Sequence, residues 1–141
     1  MEGQHTMSLI LLVDDDPAVL EIYSEFLASM GHLILLAHDG AQALRLARRA
    51  QPDLIITDCK MPRMGGIELC AALAQGKEFQ GLPIIMHSSS EDPHAPGVVA
   101  FLPKNGDLAR LKEVVSQVLE DARRQQEASP RPRPPPWGEE P

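Results

Sequence analysis

The chain has almost no cysteine, few aromatic rings, no excess of basic charge and no long apolar run. Each shortage removes a class of protein. Two cysteines, Cys59 and Cys70, in 141 residues give no disulfide framework, which fits a reducing, cytoplasmic compartment. Thirteen Lys and Arg against twenty Asp and Glu leave a formal charge of −7. That balance argues against nucleic acid as a partner, because a polyanion needs a basic face. No uninterrupted apolar stretch approaches the roughly 20 residues of a membrane span. The start, Met1-Glu2-Gly3-Gln4-His5-Thr6, has neither the basic nor the apolar region of a secretory signal. His5, His32, His38 and His94 show no metal-ligand spacing.

What the chain does have is alternation. Short apolar runs of strand type are separated by stretches of helical period, which indicates an α/β fold. Strands are expected near residues 8–13 and 32–37, from after Pro52 to Asp58, from Pro83 to about Ser88, and near 98–103. Asp16 reads as a helix N-cap with Pro17 in the first helical position. Val19, Leu20, Tyr23, Phe26, Leu27 and Met30 follow at helical spacing, and Gly31 ends the run. A second helix over 41–50 buries Ala43, Leu44 and Ala47 and exposes Arg45, Arg48 and Arg49. A third covers 67–74, where Cys70 reads as core packing. Residues 76–82 read as a polar connection. Asp107 caps a last helix with a buried stripe of Leu108, Leu111, Val115, Val118, Leu119 and Ala122. Between Ser88 and Phe101, Pro93, Pro96 and Gly97 leave room for one helical turn at most, so one crossover helix is expected to be shortened or missing. The domain is expected over 8–126, after a frayed 1–7 and before a proline-rich tail over 127–141.

The chemistry sits at the ends of the apolar runs. Asp14 and Asp15 follow Leu9-Ile10-Leu11-Leu12-Val13, and Asp58 follows Leu54-Ile55-Ile56-Thr57. Ser88 ends Ile84-Ile85-Met86-His87-Ser88, and Lys104 follows Phe101-Leu102-Pro103. Polar residues at the carboxyl ends of parallel strands meet where open α/β sheets bind ligands. Three carboxylates brought together repel one another, so the arrangement calls for a cation. Mg2+ held by Asp14, Asp15 and Asp58 would let Asp58 accept a phosphoryl group, with Lys104 and Ser88 contacting its oxygens. The plain alternatives are that paired aspartates are turn or cap residues, and that His87, inside its strand, is packed or surface-exposed rather than a ligand.

The segments Leu11-Leu12-Val13-Asp14-Asp15-Asp16-Pro17, Asp58-Cys59-Lys60-Met61-Pro62-Arg63-Met64-Gly65-Gly66 and Leu82-Pro83-Ile84-Ile85-Met86 resemble those of response regulator receiver domains of two-component signal transduction, in particular the stand-alone, CheY-like kind. The resemblance implies a flavodoxin-like, doubly wound five-stranded parallel sheet in the order 2-1-3-4-5. It implies Asp58 as phosphoacceptor, with metal ligation by Asp14, Asp15, Asp58 and the backbone carbonyl of Lys60. Ser88 and Phe101 take the switch positions, and Lys104 that of the family's lysine. A histidine kinase or phosphotransfer protein is the implied donor, and an unknown protein is the target. The implied protein is not a conventional enzyme, since it takes part only in its own phosphotransfer and dephosphorylation. It would act by protein–protein contact or as a phosphate shuttle or sink. Three features depart from the family: the curtailed fourth helix, Asn105 where a proline usually follows the lysine, and Lys60 two residues past the acceptor. Two other readings remain: a phosphorylation-independent adaptor, and a haloacid-dehalogenase-like phosphatase using Asp14 and Asp16. The phosphatase reading leaves the 61–66 loop without a role.

Overall fold

The central strands are apolar at consecutive positions because both faces of the sheet are covered there. The computed structural model describes residues 7–89 and 92–128. Leu9–Val13 (β1), Leu33–Ala37 (β2), Leu54–Thr57 (β3), Ile84–Ser88 (β4) and Val98–Pro103 (β5) form a parallel sheet in the order β2-β1-β3-β4-β5. Pro17–Ser29 (α1), Gly40–Ala50 (α2), Gly66–Ala74 (α3) and Leu108–Ala128 (α4) are the helices. Ile10, Leu12, Leu54, Ile56 and Ile85 face α1 and α4, which contribute Leu20, Leu27, Leu111, Val115 and Leu119. Leu11, Val13, Ile55, Ile84 and Met86 face α2 and α3, where Ala43, Ala47, Leu69, Cys70 and Leu73 meet them. Each such Leu or Ile, fully buried, contributes about 1.5–3 kcal/mol relative to exposure.

The helix ends follow the sequence. The Asp16 carboxylate accepts the Ala18 N–H at 3.0 Å, Pro17 opens α1, and Gly31 takes φ +96° after it. The Asp107 carboxylate accepts the Arg110 N–H at 3.0 Å. No helix among the described residues is long and apolar enough to cross a membrane.

The crossover from β4 to β5 has no helix among its described residues. Ala95 is buried there instead and joins the cluster on the α2–α3 side, so an irregular segment partly fills the place of a helix. Val99 is an extra residue in the ladder: Ile84 pairs with Val98 and Ile85 with Ala100. A groove of about 470 Å³ opens between the end of α3, the start of β5 and the side of α4.

Two boundaries differ from expectation. The connection over 76–82 contains a 3-10 turn, Lys77–Phe79, whose Phe79 is buried. A lone aromatic in a polar run carries no periodicity that would have marked it. The last helix runs on to Ala128, taking Glu127 and Ala128 from the expected tail. Met7 is 61% exposed; the rest of the expected N-terminal segment and the tail from Ser129 lie outside the described residues.

Gly66 is where fold and site meet. Its N–H donates to the Cys59 carbonyl at 2.7 Å, and a Cβ there would collide with the Asp58 carbonyl oxygen and lie 3.2 Å from Cys59 Cα. The start of α3 can therefore press on the Asp58 backbone only without a side chain. Gly66→Ala should lower stability by roughly 1–3 kcal/mol, the usual cost of overpacking, and move the Asp58 and Cys59 amide resonances. Urea denaturation with amide NMR checks this, and an unchanged midpoint would contradict the close approach.

Candidate functional site

Ladder bonds carried one residue past the strands set up a pocket. The Asp14 N–H donates to the Ala37 carbonyl at 3.1 Å, and the Asp58 N–H to the Val13 carbonyl at 2.9 Å. Both residues therefore leave the sheet at its carboxyl edge. β1 lies between β2 and β3, the point where chain connections turn opposite ways and open α/β sheets form a crevice. Asp14 is 1% exposed and Asp58 8%. Asp15 is exposed, yet one carboxylate oxygen from each of the three lies within 4.8 Å of the others.

Lys104 closes this cluster. Its N–H donates to the Ser88 carbonyl at 3.1 Å, which fixes the backbone beyond β5 against the end of β4. Its Nζ lies 2.7 Å from Asp14 Oδ2 and 3.0 Å from Asp58 Oδ2. The other oxygens take backbone donors: Asp14 Oδ1 accepts the Asp16 N–H at 3.0 Å, and Asp58 Oδ1 the Cys59 N–H at 2.7 Å. Burial pushes the Asp14 pKa up, with the Asp58 charge adding to the rise, against the opposing pull of Lys104 and the Asp16 amide. Burial also opposes the Lys104 charge, but its contacts with Asp14 and Asp58 outweigh burial and raise its pKa. One ammonium faces three carboxylates, so the cluster keeps a surplus of negative charge. Hard oxygen donors at this spacing suit a divalent cation.

The remaining expected residues fall around the cluster. Ser88 is buried at the end of β4. Phe101 stands opposite Met86 in the ladder and packs, partly buried, on the α2–α3 side. The Lys60 side chain is exposed. Asn105 in place of proline leaves Lys104 in the pocket, and no peptide bond among the described residues is cis. Asp16 turns its carboxylate onto Ala18, so the pair Asp14 and Asp16 does not converge as a phosphatase would need.

Two features went unread in the sequence. Arg63, at φ +68°, places Nε 2.6 Å from Asp39 Oδ2, while Asp39 Oδ1 accepts the Gln42 N–H at 2.8 Å at the start of α2. The Gln42 amide and then Arg63 hold the Asp39 carboxyl below its ordinary pKa. With the Gly40 N–H on the Met64 carbonyl at 2.8 Å, this latches the loop after Asp58 to α2. Asp39-Gly40 ahead of a helical run was the available signal. The second is the Tyr23 contact of His87, which is placed in its strand as read, 5% exposed and edge-on to Tyr23 with ring centroids 4.8 Å apart. Burial, then the Lys104 charge, depresses its pKa to about 4.

Residues 10–116 match the family model described as the response regulator receiver domain. The chain belongs to that family. This receiver domain is 36% identical over 124 residues to the transcriptional regulatory protein GlrR of Escherichia coli K12, covering 84% of this chain and 28% of GlrR. The chain thus spans about a quarter of that relative. Among solved structures, chemotaxis response regulator CheY4 of Vibrio cholerae is 30% identical with a TM-score of 0.75, over 80% of this chain and 99% of CheY4. TrrA of Thermotoga maritima, solved in complex with Mg2+-BeF, is 28% identical with a TM-score of 0.73, over 79% of this chain and 99% of TrrA.

The Asp14 shift has a direct consequence for stability. Its folded pKa lies above the ordinary 3.8, so its contribution is complete below that value and is lost as pH rises through the folded pKa. At pH 7, in metal-free buffer, Asp14→Asn should raise the urea midpoint of the receiver domain, and the gain should shrink toward pH 4. A midpoint equal to or below that of the wild type at pH 7 would show that Asp14 is not under electrostatic strain.

Proposed function

We propose that this protein acts as a response regulator receiver in which Asp58 accepts a phosphoryl group from a histidine kinase or phosphotransfer protein, in an Mg2+-dependent reaction in the cytoplasm. It then acts by binding another protein, or by passing on or draining the phosphoryl group. The observation that carries this reading is the Lys104 ammonium seated between Asp14 and Asp58, at 2.7 and 3.0 Å, beside Asp15. The Mg2+-BeF complex of TrrA supports the same chemistry in a relative. The receiver unit is taken to run from residue 8 to the end of α4.

Asp14, Asp15, Asp58 and the Lys60 carbonyl would hold Mg2+. When bound, the ion supplies positive charge that offsets the oxygens of an incoming phosphoryl group. The chain's own groups do the rest. An Asp58 carboxylate oxygen attacks phosphorus in line; the new O–P bond forms as the P–N bond of a phosphohistidine breaks, and the electron pair leaves with the imidazole. The Cys59 N–H, on Asp58 Oδ1, leaves Oδ2 to react. Lys104, now on Oδ2, shifts to a phosphoryl oxygen as a point charge. The Ser88 hydroxyl donates to another. Positioning and electrostatics supply the catalysis, so the protein is a substrate that assists its own modification rather than a conventional enzyme.

Phosphorylation would draw Ser88 toward Asp58 and let Phe101 turn behind it, a two-state change biased by new charge. The helix-free described part of the β4–β5 crossover removes part of the surface on which such a change would be displayed. That favours a second reading, a phosphorylation-independent adaptor.

With a small-molecule phosphodonor and Mg2+, intact-mass measurement should show one phosphoryl group added, mapped to Asp58 and absent after EDTA treatment. Asp58→Asn should abolish it, and Lys104→Gln should slow it by about tenfold or more. Modification of Asp14 instead would sink the receiver mechanism. Partner binding unaffected by Asp58→Asn would select the adaptor.

A further inference from the structure

A second cavity lies next to the acidic pocket, on the α1–α4 side of the sheet. Its volume is about 250 Å³. His87 forms its floor and Tyr23 of α1 one wall, with Leu102, Pro103 and Leu111 as apolar lining. Asn105, Asp107 and Arg110 stand at the rim, around the start of α4.

His87 is the informative group. It is 5% exposed, and among the described residues its ring makes no hydrogen bond; the recorded contact is the edge-on Tyr23 ring. Its ring lines the cavity, where a bound group could accept its N–H. Its depressed pKa, about 4, leaves it neutral near pH 7, with one N–H and one lone pair.

The lining carries one cation, Arg110, and one anion, Asp107. Arg110 is 61% exposed at the side chain and holds Glu113 only loosely, at 3.5 Å. Asn105 uses its oxygen to accept the Asp107 N–H at 3.1 Å, which leaves its NH2 group to give. Asp107, the acid on the rim, already uses Oδ1 to cap α4. The positive end of the α4 dipole adds to the preference for negative charge.

We propose that this cavity binds a small organic carboxylate, its charged end on Arg110, the Asn105 amide and the His87 N–H, its apolar body against Leu102, Pro103 and Leu111. Such a ligand would report to the acidic pocket through the chain, since His87 precedes Ser88 and Asn105 follows Lys104. That consequence rests on the phosphoacceptor reading; binding itself does not.

The test is titration of the full chain with sodium benzoate and sodium isovalerate, followed by amide and imidazole NMR, with benzamide as the uncharged control. The expected result is saturable shifts at His87, Asn105 and Leu111 with at least one carboxylate, and about tenfold weaker binding of benzamide. Arg110→Gln, on an exposed side chain, should weaken carboxylate binding about tenfold. His87→Leu, which fills the floor with an apolar group, should abolish it while distant amides stay in place; if that variant does not fold, Arg110→Gln decides. No saturable shift up to about 20 mM, shifts that map elsewhere, or equal binding by benzamide or by the Arg110 variant would overturn the proposal. Because no phosphodonor is present, failure here leaves the Asp58 reading intact, and failure of that reading leaves this one.

Discussion

An ammonium held between two buried carboxylates is the interaction on which the rest of this structure turns. Lys104 joins the end of β5 to the ends of β1 and β3 through Asp14 and Asp58, and its backbone is tied to β4 through Ser88. Four strands are thus joined at one edge of the sheet by a single residue and its partners. The arrangement is electrostatically incomplete, because Asp15 adds a third carboxylate and Asp14 is pushed toward its neutral form. A pocket left short of positive charge has the donors and the surplus charge that suit a divalent cation. Burying these carboxylates together is locally costly.

The core provides the rigidity this requires. Alternate residues of β1 and β3 enter opposite clusters, so the strands carrying Asp14 and Asp58 are clamped from both faces. Gly66 and the Arg63–Asp39 latch then fix the loop after Asp58. None of these contacts involves the Asp58 carboxylate oxygens, yet together they fix the backbone that carries them. The two sides of the sheet differ in cover. α1 and α4 close one side around His87. On the other, Ala95 in an irregular segment lies in the α2–α3-side cluster.

Much of this was legible in the sequence, for reasons that differ by element. Buried parallel strands announce themselves as unbroken apolar runs, and Asp16-Pro17 and Gly31 mark α1 by the chemistry of its ends. Asp14, Asp58 and Lys104 were readable because the end of a strand fixes where a residue goes. Phe79 and the Arg63–Asp39 pair were not readable. A residue buried from a turn has no period to betray it, and a contact between residues 24 apart in sequence depends on how two loops meet. His87 could be placed in a strand but not on a cavity, because the cavity is made by Tyr23 and the start of α4, which the strand's own sequence does not specify. The end of α4 was missed because Glu127 and Ala128 suit a helix as well as they suit the beginning of a tail.

Direct titration with Mg2+, followed by amide NMR in the absence of any phosphodonor, tests the central claim that this edge of the sheet is an acidic pocket awaiting a divalent ion. The account predicts saturation at one ion per chain, with the largest shifts at Asp14, Asp15, Asp58, Lys60 and Lys104 and none after Asp14 and Asp58 are both replaced by Asn. Spectra that do not change with Mg2+, or that change equally in the doubly substituted chain, would contradict it.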